Sequence, residues 1–197
     1  GNGLKICTQA QEIYKKRVIL KIINYQSMMK PEFSVDLLLG RPKKEALEEI
    51  LRICVEMGVG KIIFFDSEYA QNSASASKNE DRLNKILISA LIQANNYFMP
   101  EICELKNVNV IADDYEVCFV LHPQKVPQKV PGTFGTFSGW LQKALVIVGP
   151  EGGFSDGDLQ LFSSAKFQFL QLPTPIMRAP TAVAAGIATV LEKRGRR

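Results

Sequence analysis

The stretch Ala144-Leu-Val-Ile-Val-Gly-Pro-Glu-Gly-Gly-Phe-Ser-Asp156 decides how this chain is read. Ala144 to Val148 are five consecutive apolar residues, mostly branched, the signature of a strand buried on both faces. Gly149, Pro150, Glu151, Gly152 and Gly153 follow at once, and Ser155 with Asp156 supply a helix cap and first turn. Strand, glycine loop, helix start is an arrangement that lets bare backbone approach a ligand. No Gly-Lys-Ser/Thr follows, so it is not a phosphate-binding P-loop, and it is not Gly-x-Gly-x-x-Gly either.

Working outward, strands and helices alternate. Residues 1–33 show one convincing strand, Arg17 to Ile23, too little for an independent barrel; they read as the remnant of a small β-domain or as an edge added to the main body. Val35 to Leu39 reads as a strand ended by Gly40 and Pro42. A helix from Lys43 to Met57 carries Ala46, Leu47, Ile50, Leu51, Cys54 and Val55 on one face, with Gly58 as its C-terminal cap. Lys61 to Phe65 is a buried strand, and residues 67–77 are a polar loop. Ser77-Lys-Asn-Glu80 resembles a capping box for a helix striped by Leu83, Ile86, Leu87, Ala90, Leu91 and Ala94 and stopped by Pro100. Val108 to Ile111 and Val117 to Leu121 are further strand candidates. The loop from Pro123 to Gly139 holds a tandem Pro-Gln-Lys-Val, a spacer whose period is too short for a solenoid. Leu159, Leu161, Phe162 and Ala165 fit a helix, Phe167 to Leu172 a last strand, and Pro180 the start of a final helix. The fold class is therefore α/β, a mostly parallel sheet flanked by helices.

Composition sets the boundaries. The chain has 197 residues, 46% hydrophobic and 22% charged, room for one good core with or without a small appendage. No apolar run approaches the roughly 20 residues of a membrane span, and no signal-peptide pattern opens the chain, so the expected location is the cytoplasm. Cys7, Cys54, Cys103 and Cys118 are widely spaced, with Cys54 and Cys118 in apolar runs as buried thiols. A single histidine, His122, rules out a multi-histidine site, and no metal is expected. The net charge of +4 is distributed in clusters, Lys15-Lys-Arg17, Arg41 with Lys43 and Lys44, and Lys193 to Arg197. Such clusters suit a phosphate backbone, or simply solvate element ends.

In parallel sheets ligands bind at the carboxyl ends of strands. Three late loops lie there, after Leu121, after Val148 and after Leu172, and they converge on one site. Val148-Gly-Pro-Glu-Gly-Gly-Phe-Ser155, followed by Leu172-Pro-Thr-Pro-Ile-Met-Arg178 and Thr181-Ala182, resembles the two late motifs of the SPOUT methyltransferases. The branch it resembles is the ribosomal RNA small subunit methyltransferase E family. Val55-Glu-Met-Gly-Val-Gly60 and Pro100-Glu-Ile102 are similar to that family as well, and the resemblance spans roughly residues 34–195.

The resemblance implies a C-terminal deep trefoil knot, one of the few exceptions to unknotted chains. It implies a homodimer formed through the knotted domain, and S-adenosylmethionine as the cofactor, bound bent in the knot. It implies N3 methylation of a uridine in 16S rRNA of the small ribosomal subunit, with neither membrane nor DNA as partner. Carried over by position, the cofactor site comprises Leu121 and His122, Gly149, Pro150, Glu151, Gly152 and Gly153, then Leu172, Pro173, Ile176 and Met177. Leu172, Ile176 and Met177 wall the adenine or belong to the core. Glu151 faces the ligand or favours the following helix N-terminus. Arg178 is the candidate catalytic cation near the uracil oxygens, or else a phosphate contact. Thr181 hydrogen-bonds substrate or completes a helix start. His122 is a conceivable general base or a structural strand end.

Three strings depart from the family. Met177-Arg-Ala-Pro-Thr181 stands for its Leu-Arg-Thr-Glu-Thr, Gln93-Ala-Asn-Asn96 for its Gln-Ser-Gly-Arg, and Glu68-Tyr-Ala70 for its Glu-Arg-Ser. Residues 1–33 then read as the remnant of an N-terminal PUA-like β-domain, and 34–197 as the SPOUT methyltransferase domain. Two alternatives accompany this reading. One is a divergent relative that keeps the cofactor pocket but has another RNA substrate or no activity. The other is a generic doubly wound nucleotide-binding domain, although no Rossmann-type first βα turn occurs in the first half of the chain.

Overall fold

The structure, a computed structural model, describes residues 1–70, 80–105, 108–123, 142–163 and 166–193. Its centre is a six-stranded sheet in the order β5-β4-β3-β7-β6-β8, in which every neighbouring pair is parallel. The strands are β3 (Ser34–Gly40), β4 (Lys61–Phe65), β5 (Glu101–Leu105), β6 (Val117–Leu121), β7 (Lys143–Val148) and β8 (Phe167–Leu170). The mostly parallel α/β expectation holds for this sheet. Its inner strands are buried on both faces, which is why they read as unbroken apolar runs rather than alternating ones.

Each face has its own core. On one, α1 (Lys44–Glu56), α2 (Glu80–Ala94) and α4 (Ala179–Lys193) cover Leu37, Leu39, Ile62, Phe119 and Val146. On the other, Leu38, Ile63, Phe65, Val120 and Ile147 pack against Phe162, Phe167 and a 3-10 helix, Val108–Asp114. The expected apolar stripes of α1 and α2 are the faces buried there. Helix α1 closes as anticipated at Gly58, whose φ of 70° suits the left-handed cap. The N–H of Gly58 donates to Val55 O and that of Val59 to Cys54 O, satisfying carbonyls the helix end leaves open.

Three readings are corrected. Val108 to Ile111 is not a strand: Val108, Ile111, Ala112 and Tyr115 are buried at spacings of three, four and seven, a helical pattern that the short run disguised. The strand of that region is β5, whose Glu101 and Glu104 are exposed at the sheet edge and mask its apolar positions. The final strand stops at Leu170, leaving Gln171 and Leu172 to begin the turn. The helix α3 (Asp156–Leu161) is likewise shorter than the pattern to Ala165. The capping box at residues 77–80, the tandem Pro-Gln-Lys-Val, Ala165 and the basic residues after Lys193 lie outside the described residues.

Residues 1–33 hold two strands, not one: β1 (Leu4–Ile13) and β2 (Val18–Ser27) form an antiparallel hairpin. It is a separate two-stranded sheet and not an edge of the large one. The register, with shifts after Cys7 and Ala10, puts Leu4, Ile6 and Ala10 on one side with Leu20, Ile22 and Tyr25. All residues of both strands are exposed. The hairpin base is tied to the chain ahead of β5, where Gly3 N–H donates to Tyr97 O at 2.9 Å and Met99 N–H to Gly1 O at 3.1 Å. Cys54 and Cys118 are buried free thiols, as read from the apolar runs around them. Among the described residues no helix is long and apolar enough to cross a membrane.

Candidate active site

The strand order creates a switch point between β3 and β7. From β3 the chain leaves through α1 toward β4 on one side; from β7 it leaves through α3 over β6 to β8 on the other. Divergent connections open a crevice at the carboxyl ends of such a strand pair. There lies a cavity of about 700 Å³. It is lined from β6 by Leu121, His122 and Pro123, and from β7 by Val148 and residues 149–154. The segment after β8 adds Leu172, Ile176, Met177 and Arg178 among others. The three late loops thus meet in one place.

The glycine loop is shaped by the protein around it. A Cβ on Gly152 would sit 2.9 Å from Tyr69 Cβ, and one on Gly149 would crowd the Phe154 ring at 3.2 Å. Gly153 has φ 78°, which L side chains rarely adopt, and its N–H closes a turn onto Pro150 O at 2.9 Å. Beneath the loop, Phe154 stacks on Phe65 at 6.4 Å and meets Phe162 edge-on at 5.3 Å; Phe162 does the same with Phe167. Ser155 caps α3 in a reciprocal box: its Oγ accepts from Asp158 N–H at 3.0 Å, and Asp158 Oδ2 accepts from Ser155 N–H at 3.1 Å. Asp158 Oδ1 also accepts from Glu68 N–H at 3.4 Å, joining the loop after β4 to this helix start.

Of the residues singled out from sequence, Leu121, His122, Gly149 to Gly153, Leu172, Ile176, Met177 and Arg178 line the cavity. Pro173 and Thr181 do not; both are exposed, Thr181 on the first turn of α4. Ile176 is 87% exposed and stands on the rim rather than in a wall. His122 packs edge-on against Phe169 at 6.4 Å, and its N–H donates to Leu170 O at 3.2 Å. Glu151 does not serve the following helix: its Oε1 accepts from the N–H of Lys43, at the start of α1.

A fourth wall was not foreseen. Lys43, Glu45, Ala46 and Glu49 of α1 line the cavity too. Their signal is only that they follow a parallel strand; that β3 neighbours β7 is a tertiary fact. The early basic cluster divides here. Arg41 donates to Asp66 Oδ1 at 2.6 Å and approaches Glu104 Oε1 at 3.3 Å. Burial works against its charge, but those two carboxylates outweigh that and raise its pKa. Among the described residues, Lys43 and Arg178 are the lysine and arginine that line the cavity itself.

Far from the cavity, near the amino ends of β3 and β7, Asp36 is buried. Tyr115 OH donates to its Oδ2 at 2.7 Å, and Lys143 Nζ lies 4.0 Å away. Burial pushes the Asp36 carboxyl above its usual range, against the pull of Tyr115 and Lys143. Among the described residues no group of three or more His, Cys, Asp or Glu is placed to hold a metal ion.

The relatives agree with this architecture. Residues 29–191 match the model of the RNA methyltransferase domain. Ribosomal RNA small subunit methyltransferase E 2 of Borreliella burgdorferi is 29% identical over 95% of this chain and 81% of its own length. The corresponding Helicobacter pylori enzyme is 24% identical over 97% of this chain and 81% of its own. Ribosomal RNA small subunit methyltransferase E from Neisseria gonorrhoeae, solved bound to S-adenosyl methionine, superposes with a TM-score of 0.78. Its identity is 23%, over 96% of this chain and 79% of that one. A Legionella pneumophila methyltransferase solved with the cofactor SAM gives 0.79 at 22% identity, with the same coverage. The chain belongs to the RNA methyltransferase domain family and, within it, resembles the ribosomal RNA small subunit methyltransferase E enzymes.

Proposed function

We propose that this protein transfers the methyl group of S-adenosylmethionine to N3 of a uridine in small-subunit ribosomal RNA. The carrying observation is the cavity itself: four βα connections converge on a space of about 700 Å³, within the range of small-molecule sites. Adenosine asks for backbone donors and acceptors beside apolar surface. The glycine loop supplies the first; Leu121, Leu172 and Met177 supply the second. The bound cofactor contributes an electrophilic methyl on a sulfonium. In the transfer the S–CH3 bond breaks as the N3–CH3 bond forms, and the N3 proton passes to water.

The chain's own part is to hold and to stabilise. Fixing N3 in line with the methyl group removes much of the barrier. The Arg178 guanidinium, exposed at the cavity edge, neutralises the charge that develops on the uracil oxygens. Thr181, exposed on the first turn of α4 and outside the cavity lining, stays the candidate for a hydrogen bond to the RNA rather than to the cofactor. The resemblance also carries a homodimer, the C-terminal knot and a cytoplasmic location, and the exposed hairpin within residues 1–33 fits part of an N-terminal β-domain.

One observation favours a second reading, a different RNA target. Where the family has a hydroxyl and a carboxylate, Ala179 and Pro180 are buried and present neither to the cavity. Tritium transfer from labelled cofactor to unmodified small ribosomal subunits tests the first reading. Transfer only to other RNA selects the second, and calorimetry showing no cofactor binding removes both. Arg178→Ala is expected to lower the transfer rate at least about 100-fold, with cofactor affinity within about threefold; unchanged turnover would refute its role.

A further inference from the structure

Helix α1 begins without a cap of its own. Lys43, its N-cap residue, is extended at φ −61° and ψ 156°, and makes no side-chain cap bond. In a capping box the third helical residue is a Glu or Gln that reaches back to the N-cap N–H. Here that position is Ala46, which has nothing to offer. The Lys43 N–H donates instead to Glu151 Oε1 at 3.0 Å, a residue 108 positions away in the middle of the glycine loop. A carboxylate at that end of a helix also meets the favourable end of its dipole.

We propose that Glu151 is a positioning residue: by capping α1 from the glycine loop, it sets the separation of two facing walls of the cofactor cavity. Both walls line the same space, Lys43, Glu45 and Ala46 from one side and residues 149–153 from the other. Among the described residues the loop is otherwise seated by packing, Pro150 against Gly40 and Gly152 against Tyr69. Contacts limit how close the loop comes; the Glu151 bond limits how far it can retreat. One carboxylate oxygen is committed to backbone, so the residue acts on the cofactor through α1. Its consequence for S-adenosylmethionine rests on the reading above, whereas the bond does not.

Two measurements on the full chain separate these levels. Amide hydrogen exchange at Lys43, without cofactor, is expected to quicken about tenfold in Glu151→Ala and to stay near wild type in Glu151→Gln, which keeps an acceptor. Calorimetry with S-adenosylmethionine should show about tenfold weaker binding for Glu151→Ala, the scale of one charge-assisted bond, with most of it restored in Glu151→Gln. Lys43→Pro deletes the donor itself, and the φ of −61° already suits proline. Glu151→Ala should cost nothing further in that background, because both changes remove one interaction. Unaltered Lys43 exchange in Glu151→Ala overturns the cap. Additive losses, or a Glu151→Gln loss equal to that of alanine, overturn the positioning role in favour of direct cofactor contact. Should wild type bind no S-adenosylmethionine, the cofactor reading fails, and Lys43 exchange still decides whether Glu151 holds the helix.

Discussion

Gly40→Ala is the sharpest perturbation the fold offers, because the atoms it strikes cannot move aside. A Cβ built at Gly40 lies 2.6 Å from Pro150 Cδ, 2.9 Å from Pro150 N and 3.2 Å from Ser67 Oγ. Carbon atoms in contact sit at about 3.5–4 Å, so β3 and the glycine loop must part by roughly 1 Å. Pro150 is a rigid ring two residues beyond Val148, and Val148 is paired with Leu39 in the sheet. The strain therefore passes into the loop and not into a rotamer. Overpacking of this kind costs about 1–3 kcal/mol, and loss of the glycine's freedom in the unfolded chain returns up to about 1. The net, about 1–2 kcal/mol, corresponds to a Tm about 2–8 °C lower for a chain of this size. Because the loop wall moves, affinity for S-adenosylmethionine should fall about tenfold. Gly58→Ala is the control. Nothing lies within 4 Å of its Cβ, but its φ of 70° makes alanine cost about 1–2 kcal/mol far from the cavity. Thermal denaturation and calorimetry on both variants decide. Equal affinity losses, or a Gly40→Ala protein as stable and as tightly binding as wild type, would show that the Gly40–Pro150 contact does not shape the site.

Gly186→Ala tests the opposite case: its Cβ would lie 2.8 Å from both methyls of Leu121, a movable side chain, and alanine gains about 1 kcal/mol in helix propensity. Urea stability within about 1 kcal/mol of wild type is expected, with weaker cofactor binding as Leu121 turns into the cavity; a loss above about 3 kcal/mol contradicts this. Ser155→Ala removes half of the α3 capping box and should lower stability by about 1 kcal/mol in urea titration. Asp36→Asn bears on pH. With its carboxyl pKa raised by burial, the folded protein binds more protons than the unfolded one between the ordinary value of 3.8 and the raised value. Stability from this group therefore declines as pH rises through that window, and the variant should lose that decline. Urea midpoints from pH 3.5 to 7 should shift in favour of Asp36→Asn as pH increases, and the opposite slope rejects the assignment.

What could be read without coordinates was whatever chemistry is local. The run from Ala144 to Val148, the glycines after it and the Ser155 cap lie within a dozen residues, and each declares its conformation alone. Leu83 to Ala94 likewise fixed the buried face of α2 by spacing. Relations across the sheet were not legible. The α1 wall needed β3 to lie beside β7, and Gly40 needed Pro150 as its neighbour, 110 positions later. Asp36 lies within the strand read from Val35 to Leu39, but its burial and its partner Tyr115, 79 positions on, are relations only the fold supplies. The hairpin strand β1 was hidden by its own composition, because Thr8, Gln9, Ala10 and Gln11 dilute the alternation that marks a strand.

The glycine loop invites the view that its glycines exist for the ligand, and its packing argues for an earlier cause. Tyr69 leaves no room for a Cβ at Gly152, the φ of Gly153 is one that L side chains rarely adopt, and a Cβ at Gly149 would press the Phe154 ring. The shape is thus enforced by the chain, and exposed backbone follows as its by-product. Polar backbone groups in such a bend are left without ladder partners, and a ligand that completes them gains binding at little reorganisation cost. On the reading proposed above, Arg178 to Pro180 can change on the RNA side while the glycine loop, fixed by internal contacts, stays as it is. Internal packing constrains the glycine loop whatever the RNA, and the exposed segment around Arg178 carries no such constraint, so an intact glycine string and an altered second motif are compatible in one site.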